Sequence, residues 1–174
     1  MKKLLSIVMI LCLTMSVALA EEAVLNWSDF EPILEQAGVT GDFQTFDEIA
    51  VKIWLPEGLN AVELSEEDKG QGYIGYFEPD DKSAAVAVQY VDVQGMSLED
   101  YAAALASDEI GATEIEYGTV NGLPCVSYTL PEKDCACVTF TTEAGYALEV
   151  TCWPLSVENA EYVWGAVVSS IQAE

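Results

Sequence analysis

Histidine and arginine are absent from the 174-residue sequence, and six lysines are its only basic side chains. Without histidine the chain cannot build a Ser-His-Asp or Cys-His nucleophilic site, an imidazole acid–base pair or a zinc site that uses histidine. It also lacks a P-loop and a G-x-G-x-x-G run directly after a predicted strand, the patterns that cradle phosphates and dinucleotides. Among the common catalytic devices, a pair of carboxylates is what remains.

The shortage of basic residues leaves the chain strongly acidic, with 30 Asp and Glu side chains and a net charge of −24. Such a surface repels nucleic-acid phosphates and anionic lipids, because binding to either depends on lysine and arginine. We therefore expect no nucleic-acid partner and no membrane insertion of the mature chain. The charge favours solubility, attraction of cations or docking of a basic partner, and a solvated acidic surface is the simplest interpretation.

The N-terminus has the pattern of a cleavable secretory signal peptide. Lys2 and Lys3 form a basic start, residues 4–13 are almost continuously apolar, and Ala18 and Ala20 provide the small residues that a signal peptidase reads. The apolar run is shorter than the ~20 residues of a membrane-spanning helix. We predict cleavage after Ala20 and secretion to the extracellular space or the periplasm.

Removal of residues 1–20 from the 174 leaves a chain of 154, residues 21–174, which we expect to be a single acidic α+β domain and a monomer. All 30 carboxylates and four of the six lysines stay, so the net charge becomes −26. A chain of this length buries about 68–70% of the surface that its unfolded form exposes. It can therefore form a core without help from disulfides or metals.

Apolar periodicity and turn signals predict three helices and seven strands. The predicted helices are 28–38, 98–106 and a last one that Ser156 caps, and the predicted strands are 42–54, 73–77, 84–93, 114–120, 124–130, 135–141 and 146–153. The strands follow one another in hairpins instead of alternating with helices. We therefore expect an antiparallel sheet of six or seven strands with helices packed on it.

Local signals mark the ends of these elements. A capping box at residues 28–31 is predicted to begin the first helix, and Gly38 to end it. Ser97 is the predicted N-cap of the second helix. The Asn121-Gly122 pair is typical of a two-residue hairpin turn.

Four segments of this layout resemble the Mog1/PsbP-like fold. They are a strand that enters IWLPEG at residues 53–58, a helix after a hairpin that opens with SLEDY at 97–101, a VNGLP turn at 120–124 and a closing helix that ends with SSI at 169–171. The resemblance covers roughly residues 46–171 and implies an antiparallel sheet sandwiched by helices. Its better-known members are a photosystem accessory subunit and a small-GTPase-binding factor, so it also implies a non-enzymatic role. It identifies no functional residue.

Four cysteines follow the predicted cleavage site, and an even number in an exported protein suggests disulfides. The turn at residues 143–145 predicts that Cys135 lies nearly opposite Cys152, which leaves Cys125 to pair with Cys137 through a bulge. A Cys135–Cys137 bridge would be strained, because their Cα atoms would lie about 6.6 Å apart in a strand. Free buried thiols and a four-thiolate zinc site are the alternatives.

Two acidic loops are the candidate metal sites. Their carboxylates are Glu63, Glu66, Glu67 and Asp68 in the first loop and Glu78, Asp80 and Asp81 in the second. Such carboxylates could supply some of the six to eight oxygens that Ca²⁺ takes, although neither loop has the EF-hand register. Calcium is therefore the one cofactor under consideration, and a pair of solvated turns is the alternative.

We expect a secreted, non-enzymatic binding or accessory domain that recognises a protein or another extracellular ligand through an acidic face. No residue qualifies as catalytic. One alternative is a calcium-dependent structural or interaction module. Another is a carboxylate-based hydrolase, which would need a deep cleft to hold its substrate.

Overall fold

The computed structural model describes residues 23–107, 109–157 and 160–173. The predicted signal peptide and its cleavage site after Ala20 lie outside the described residues and stay predictions. Within the described residues there are eleven strands and four α-helices.

The strands differ in length from two to eight residues. They are β1 (Ala23–Leu25), β2 (Gly41–Phe46), β3 (Val51–Pro56), β4 (Asn60–Ala61), β5 (Tyr73–Glu78), β6 (Ala85–Asp92), β7 (Thr113–Val120), β8 (Leu123–Leu130), β9 (Cys135–Thr141), β10 (Tyr146–Trp153) and β11 (Gln172–Ala173). The helices are α1 (Trp27–Ala37), α2 (Glu66–Gly70), α3 (Leu98–Leu105) and α4 (Ala160–Ser169).

Most of the strands form one sheet of eight, in the order β1-β7-β8-β9-β10-β6-β5-β4, and β11, β3 and β2 form a second sheet of three. The pairing is antiparallel except between β1 and β7. The predicted α+β architecture, an antiparallel sheet with helices packed on it, is confirmed. The number of strands is larger than expected because β1, β4 and β11 have only two or three residues each, too few to show an alternating pattern.

The segment predicted as one strand, residues 42–54, is instead the hairpin of β2 and β3. The chain reverses at residues 47–50, where Ile49 N–H donates to the Phe46 carbonyl over 3.1 Å and Ala50 adopts φ 50°. This turn has none of the glycine, proline or asparagine residues that usually signal a reversal. The sequence pattern therefore missed it.

Local signals predicted some element ends correctly. Gly38 ends α1 at φ 68°, and the Ser97 hydroxyl accepts the Asp100 N–H over 3.1 Å at the start of α3. The Asn121-Gly122 turn joins β7 and β8, with φ values of 48° and 81°. These signals depend only on neighbouring residues, so they are readable in the sequence.

Two predicted caps are wrong. The first helix begins at Trp27, and its N-cap is Asn26, so the residues of the predicted capping box lie inside the helix. Ser156 precedes α4 by four positions, and its hydroxyl donates to the Asp134 carboxylate over 2.5 Å. Ser156 is engaged by a partner 22 positions earlier in the chain, which no local pattern could show.

One face of the eight-stranded sheet is covered by α4 and by β3, and we call it the closed face. Its inward side chains form the main core and include Val86, Val88, Cys125, Val138, Phe140, Leu148, Val150 and Cys152. From the covering layer, Ile53 and Val167 are fully buried in the same cluster. Trp164 joins them, with its indole N–H donating to the Pro154 carbonyl over 2.7 Å. The prediction that the apolar stripe of the last helix packs on the sheet agrees with this arrangement.

Asn121 ties the hairpin turn to the covering layer. Its side-chain oxygen accepts the Trp27 N–H over 3.0 Å, and its side-chain amide donates to the carbonyls of Ser169 and Ile171 over 2.7 and 2.8 Å. One side chain thus joins the β7–β8 turn, the start of α1 and the end of α4.

The opposite side of the large sheet is the groove face. Its side chains include Ala85, Ala87, Gln89, Val126, Tyr128, Cys135, Cys137, Thr139, Glu149, Thr151 and Trp153. Helix α3 packs on one part of it, where Ala102 and Leu105 join Val126 and Tyr128 in a small second core. The remaining part is open.

Candidate binding groove

The open part of the groove face holds a cavity of about 880 Å³. Its floor consists of small side chains on β6, β9 and β10, which leave the sheet surface recessed. These floor residues are Ala85, Ala87, Cys135, Cys137 and Thr151. The volume lies within the range of about 300–1,000 Å³ that is typical of ligand pockets.

Larger side chains form the walls of this groove. Tyr73 and Tyr76 belong to β5, Leu64 lies in the segment before α2, and Trp153 stands at the end of β10. A groove with a smooth floor and aromatic walls can hold an extended or flat ligand.

Carboxylates outnumber amines among the residues that line the groove. The four acidic residues are Glu63, Asp68, Glu78 and Glu149, and the two lysines are Lys82 and Lys133. Lys82 lies 3.2 Å from Glu78, so part of the positive charge is already compensated. The groove therefore has a net negative charge on a protein that is itself acidic.

Glu149 sits at the centre of a cluster of hydroxyl groups. Its Oε2 atom accepts hydrogen bonds from Tyr101 over 2.8 Å, from Tyr128 over 2.5 Å and from Thr139 over 3.1 Å. The donors come from α3, β8 and β9, so residues up to 48 positions away in the chain meet at one carboxylate oxygen. Glu149 also lines the groove.

The two tyrosines act as permanent donors in this cluster. Burial and the nearby Glu149 carboxylate raise the pKa of Tyr101 to about 12 and raise the pKa of Tyr128 well above its ordinary value. A raised phenol pKa keeps the hydroxyl protonated at neutral pH. Both hydroxyls therefore hold the carboxylate in place and do not themselves act as bases.

The sequence analysis did not identify Glu149, although a signal was present. Strand β10 alternates between the closed face, with Leu148 and Val150, and the groove face, with Glu149. A charged residue between two buried apolar ones, in the middle of a strand, is a candidate for a specific role on the other face. The tyrosine donors gave no comparable signal, because their meeting with Glu149 depends on the fold.

Comparison with known proteins identifies the architecture. No protein-family model and no curated protein matches the chain. The solution structure of cyanobacterial PsbP (CyanoP) from Synechocystis sp. PCC 6803 matches it with a TM-score of 0.58 at 9% sequence identity, covering 78% of this chain and 93% of that one. The fold is PsbP-like. At this identity the similarity concerns the fold alone.

A second solved structure, of a protein from Bacteroides thetaiotaomicron VPI-5482, matches the PsbP-like chain with a TM-score of 0.43 at 14% identity. The match covers 72% of this chain and 45% of that protein, less than half of its length.

Within the described ranges of the PsbP-like domain, no helix is both long and apolar enough to cross a membrane.

The predicted disulfide pairs are not formed in the PsbP-like domain. Cys152 lies opposite Ala136, one position away from Cys135, and a shift of one residue places two side chains on opposite faces of a sheet. Cys135 and Cys137 therefore face the groove, whereas Cys125 and Cys152 face the main core. All four are free, buried thiols, which was the first of the two alternatives to disulfides.

The division of the thiols between the two faces also separates the ligands of the proposed four-thiolate zinc site. Among the residues that the structure describes, no three His, Cys, Asp or Glu side chains are grouped so that they could hold a metal ion. Burial raises the pKa of Cys137 to about 12 and also raises the pKa of Cys135. Both groove thiols are therefore protonated at neutral pH and are poor nucleophiles.

The first acidic loop contains the short helix α2. Ser65 and Asp68 form its capping box, and Glu66 pairs with Lys69 over 2.8 Å. The hydrogen bonds from Ser65 hold the pKa of the Asp68 carboxyl below its usual value. Glu66 and Asp68 thus have local partners, and Glu67 is exposed on the same turn.

The carboxylates of the second acidic loop also bond to separate neighbours. Asn60 donates to Asp80 over 3.1 Å, Ser83 donates to Asp81 over 2.6 Å, and Glu78 pairs with Lys82. The structure does not bring these three carboxylates to one point. The calcium-dependent module stays a prediction from the sequence.

Proposed function

We propose that this chain is an exported, non-enzymatic binding domain whose groove holds a basic segment of a partner protein. The observation that carries the proposal is the lining of the groove, in which a recessed floor of small side chains is bordered by four carboxylates and two lysines. The PsbP-like fold is consistent with an accessory role.

Charge selects the class of partner. At a net charge of −24 the protein attracts cationic chains over a distance and repels acidic ones, and a negatively charged concave surface concentrates that field. Tyr73, Tyr76 and Trp153 on the walls can in addition contact cations through their ring faces. A lysine- or arginine-bearing segment therefore fits both the shape and the charge of the groove.

The chemistry of the floor supports a binding role over a catalytic one. The thiols of Cys135 and Cys137 are protonated at neutral pH, and the Tyr101 and Tyr128 hydroxyls are engaged with Glu149. No activated nucleophile is among these groups. These observations favour the hypothesis of a binding domain over that of a carboxylate-based hydrolase.

The test uses decapeptides that alternate serine with lysine, with arginine or with glutamine, and measures their affinity by isothermal titration calorimetry. Ala87→Trp fills the floor of the groove, and the matched control Gln44→Trp adds the same side chain on the exposed strand β2 of the other sheet. We expect Ala87→Trp to weaken binding of the basic peptides by about tenfold or more and Gln44→Trp to change it less than about twofold. Thermal melts check that both variants are folded.

Equal affinity of both variants for the basic peptides would overturn the groove as the binding site, and so would equal affinity of the basic and glutamine peptides. Measurements at about 50 and 200 mM NaCl distinguish general attraction, which salt screens strongly, from contacts inside the groove. Export is tested separately. The N-terminal sequence of the protein recovered outside the cytoplasm should begin at Glu21.

A further inference from the structure

Glu149 is a half-buried carboxylate without a basic partner among the described residues. The ion pairs in those residues are Lys69–Glu66 and Lys82–Glu78, and neither includes Glu149; Lys133, the other lysine that lines the groove, forms no ion pair with any described residue. A charge removed from water is normally paired with an opposite charge, because hydroxyl donors alone compensate only part of the lost hydration. The site thus has an anion whose cation the described chain does not supply.

The hydrogen bonds of this carboxylate are distributed unequally. Tyr101, Tyr128 and Thr139 all donate to Oε2, and no side chain or backbone group of the described residues donates to Oε1. Because Glu149 lines the groove, a bound ligand can reach the carboxylate from that side. Oε1 is the acceptor that is left for it.

The donors also fix the orientation of the carboxylate before any ligand binds. Tyr128 and Thr139 are buried in adjacent strands, and Tyr101 is held on α3. An acceptor that is already oriented loses little conformational entropy when its partner arrives. The three donors are therefore positioning residues for Glu149.

We infer that Oε1 of Glu149 receives the ammonium group of a lysine side chain from the basic segment bound in the groove. This inference rests on the proposed function and deepens it, because it names the residue that selects the ligand. A guanidinium group prefers both oxygens of a carboxylate in a two-pronged contact, and here Oε2 already accepts three donors. An ammonium group is a compact charge that needs only one oxygen.

The floor of the groove suits the rest of a lysine side chain. Thr151 lies two positions from Glu149 on β10, and Ala87 lies opposite Thr151 on β6, so the surface next to the carboxylate is made of small side chains. The four-carbon stem of lysine can lie along such a surface while its charged end reaches the carboxylate. Larger residues at these positions would close the approach.

The experiment compares Glu149→Gln with Glu63→Gln in binding to the lysine and arginine peptides. Both substitutions remove one charge from the groove lining, but glutamine at 149 can still accept the three hydroxyl hydrogen bonds through its amide oxygen. In the unchanged protein we expect the lysine peptide to bind more tightly than the arginine peptide. Glu149→Gln should weaken the lysine peptide by about tenfold and remove that preference, and Glu63→Gln should weaken both peptides less than about threefold.

The outcomes separate this inference from the proposed function. If Ala87→Trp weakens binding but Glu149→Gln leaves the lysine preference intact, the groove stands and the role of Glu149 is overturned. If neither variant changes binding, both proposals fail. If Glu149→Gln loses the preference for the lysine peptide and Glu63→Gln keeps it, both the proposed function and the role of Glu149 are supported.

A second measurement on the unchanged protein does not depend on the folding of a variant. In ¹H–¹⁵N NMR spectra, titration with the lysine peptide should shift the backbone amides of residues 138–140 and 148–150, which surround the carboxylate. Shifts confined to residues outside the groove would contradict the inference. A peptide of Nε-acetyl-lysine, which lacks the charge, should leave these amides unshifted.

Discussion

The two faces of the eight-stranded sheet share the same strands but differ in what the alternate side chains do. On the closed face Val86, Val88 and Val150 are fully buried under α4 and β3. On the groove face the neighbouring positions hold Ala87 and Glu149, and the sheet is only partly covered. The comparison teaches that one set of strands can provide stability with one side and a polar recognition surface with the other.

Packing explains this division. The centre of the closed face excludes water, so its buried residues contribute burial free energy. The open part of the groove face lies between α3 on one side and the segment around α2 on the other. Small side chains on the strands between them leave space for a ligand. A polar carboxylate is tolerated there because hydroxyl groups surround one of its oxygens.

Removal of a core side chain that packs against the closed face should have the largest effect on stability. Ile53→Ala should lower the free energy of unfolding by about 2–5 kcal/mol, because Ile53 is 0% exposed and leaves a cavity. The matched control is Leu64→Ala on the groove wall, where the side chain is half-buried and water can fill the space. Urea unfolding measures both, and equal losses would contradict the distinction between the faces.

Alkaline pH should weaken the fold through thiols of both faces. Burial raises the pKa of Cys125, on the closed face, to about 11 and that of Cys137, on the groove face, to about 12, from 9.0. Below pH 9 both thiols are protonated in the folded and unfolded chains, so they add no pH dependence. Above pH 9 they ionise first in the unfolded chain, so stability falls until the folded pKa is reached, by up to about 1.4 kcal/mol per pH unit for each thiol.

Urea unfolding in reducing buffer between pH 8 and about pH 11 measures this loss. Cys125→Ala and Cys137→Ala should each make the decline less steep, and Glu48→Gln, an exposed change in the β2–β3 turn, should leave its slope unchanged. A decline of the same steepness in both cysteine variants would show that the thiols do not cause it.

The rates of thiol labelling should distinguish the faces without any mutation. A small alkylating reagent should modify Cys135, which lines the groove, about tenfold or more faster than Cys152, which is 1% exposed in the main core and needs a larger opening of the structure. Peptide mass spectrometry at increasing times follows each site. In urea both should react alike, and equal rates in the folded protein would contradict the assignment of faces.

Calcium should have the smallest effect. Because Asp68, Asp80 and Asp81 already accept hydrogen bonds from neighbouring side chains, we expect millimolar CaCl₂ and NaCl of equal ionic strength to raise the melting temperature alike. A true site at about 100 times its dissociation constant would add about 2.7 kcal/mol. A rise of that size with calcium, reversed by EDTA and not produced by NaCl, would favour the calcium-dependent module.

Much of the local structure was predictable from the sequence because its causes are local. Period-two alternation predicted β6, and turn residues predicted the ends of β7 and β8. The hairpin of β2 and β3 was missed because residues 47–50 contain no glycine, proline or asparagine, and Asp47 alone is a weak turn signal. The two-residue strand β4 is defined only by its partner β5.

The cysteines illustrate how far such reasoning extends. The prediction used distance along the hairpin and placed Cys135 opposite Cys152, whereas the alternation of β10 puts Cys152 with Leu148 and Val150 on the closed face. The alternation of β9 likewise puts Cys135 on the groove face and Val138 on the closed face. Both facts were in the sequence, but combining them required the register between the strands.

Composition and neighbouring residues are enough to establish the α+β class, the hairpin order of the strands, the strong acidity and the absence of histidine chemistry. The fold, in contrast, is needed to bring Tyr101, Tyr128 and Thr139 together at Glu149 and to open a groove beside them. These contacts join residues 10 to 48 positions apart, and their meeting depends on strand register and on how α3 packs against the sheet.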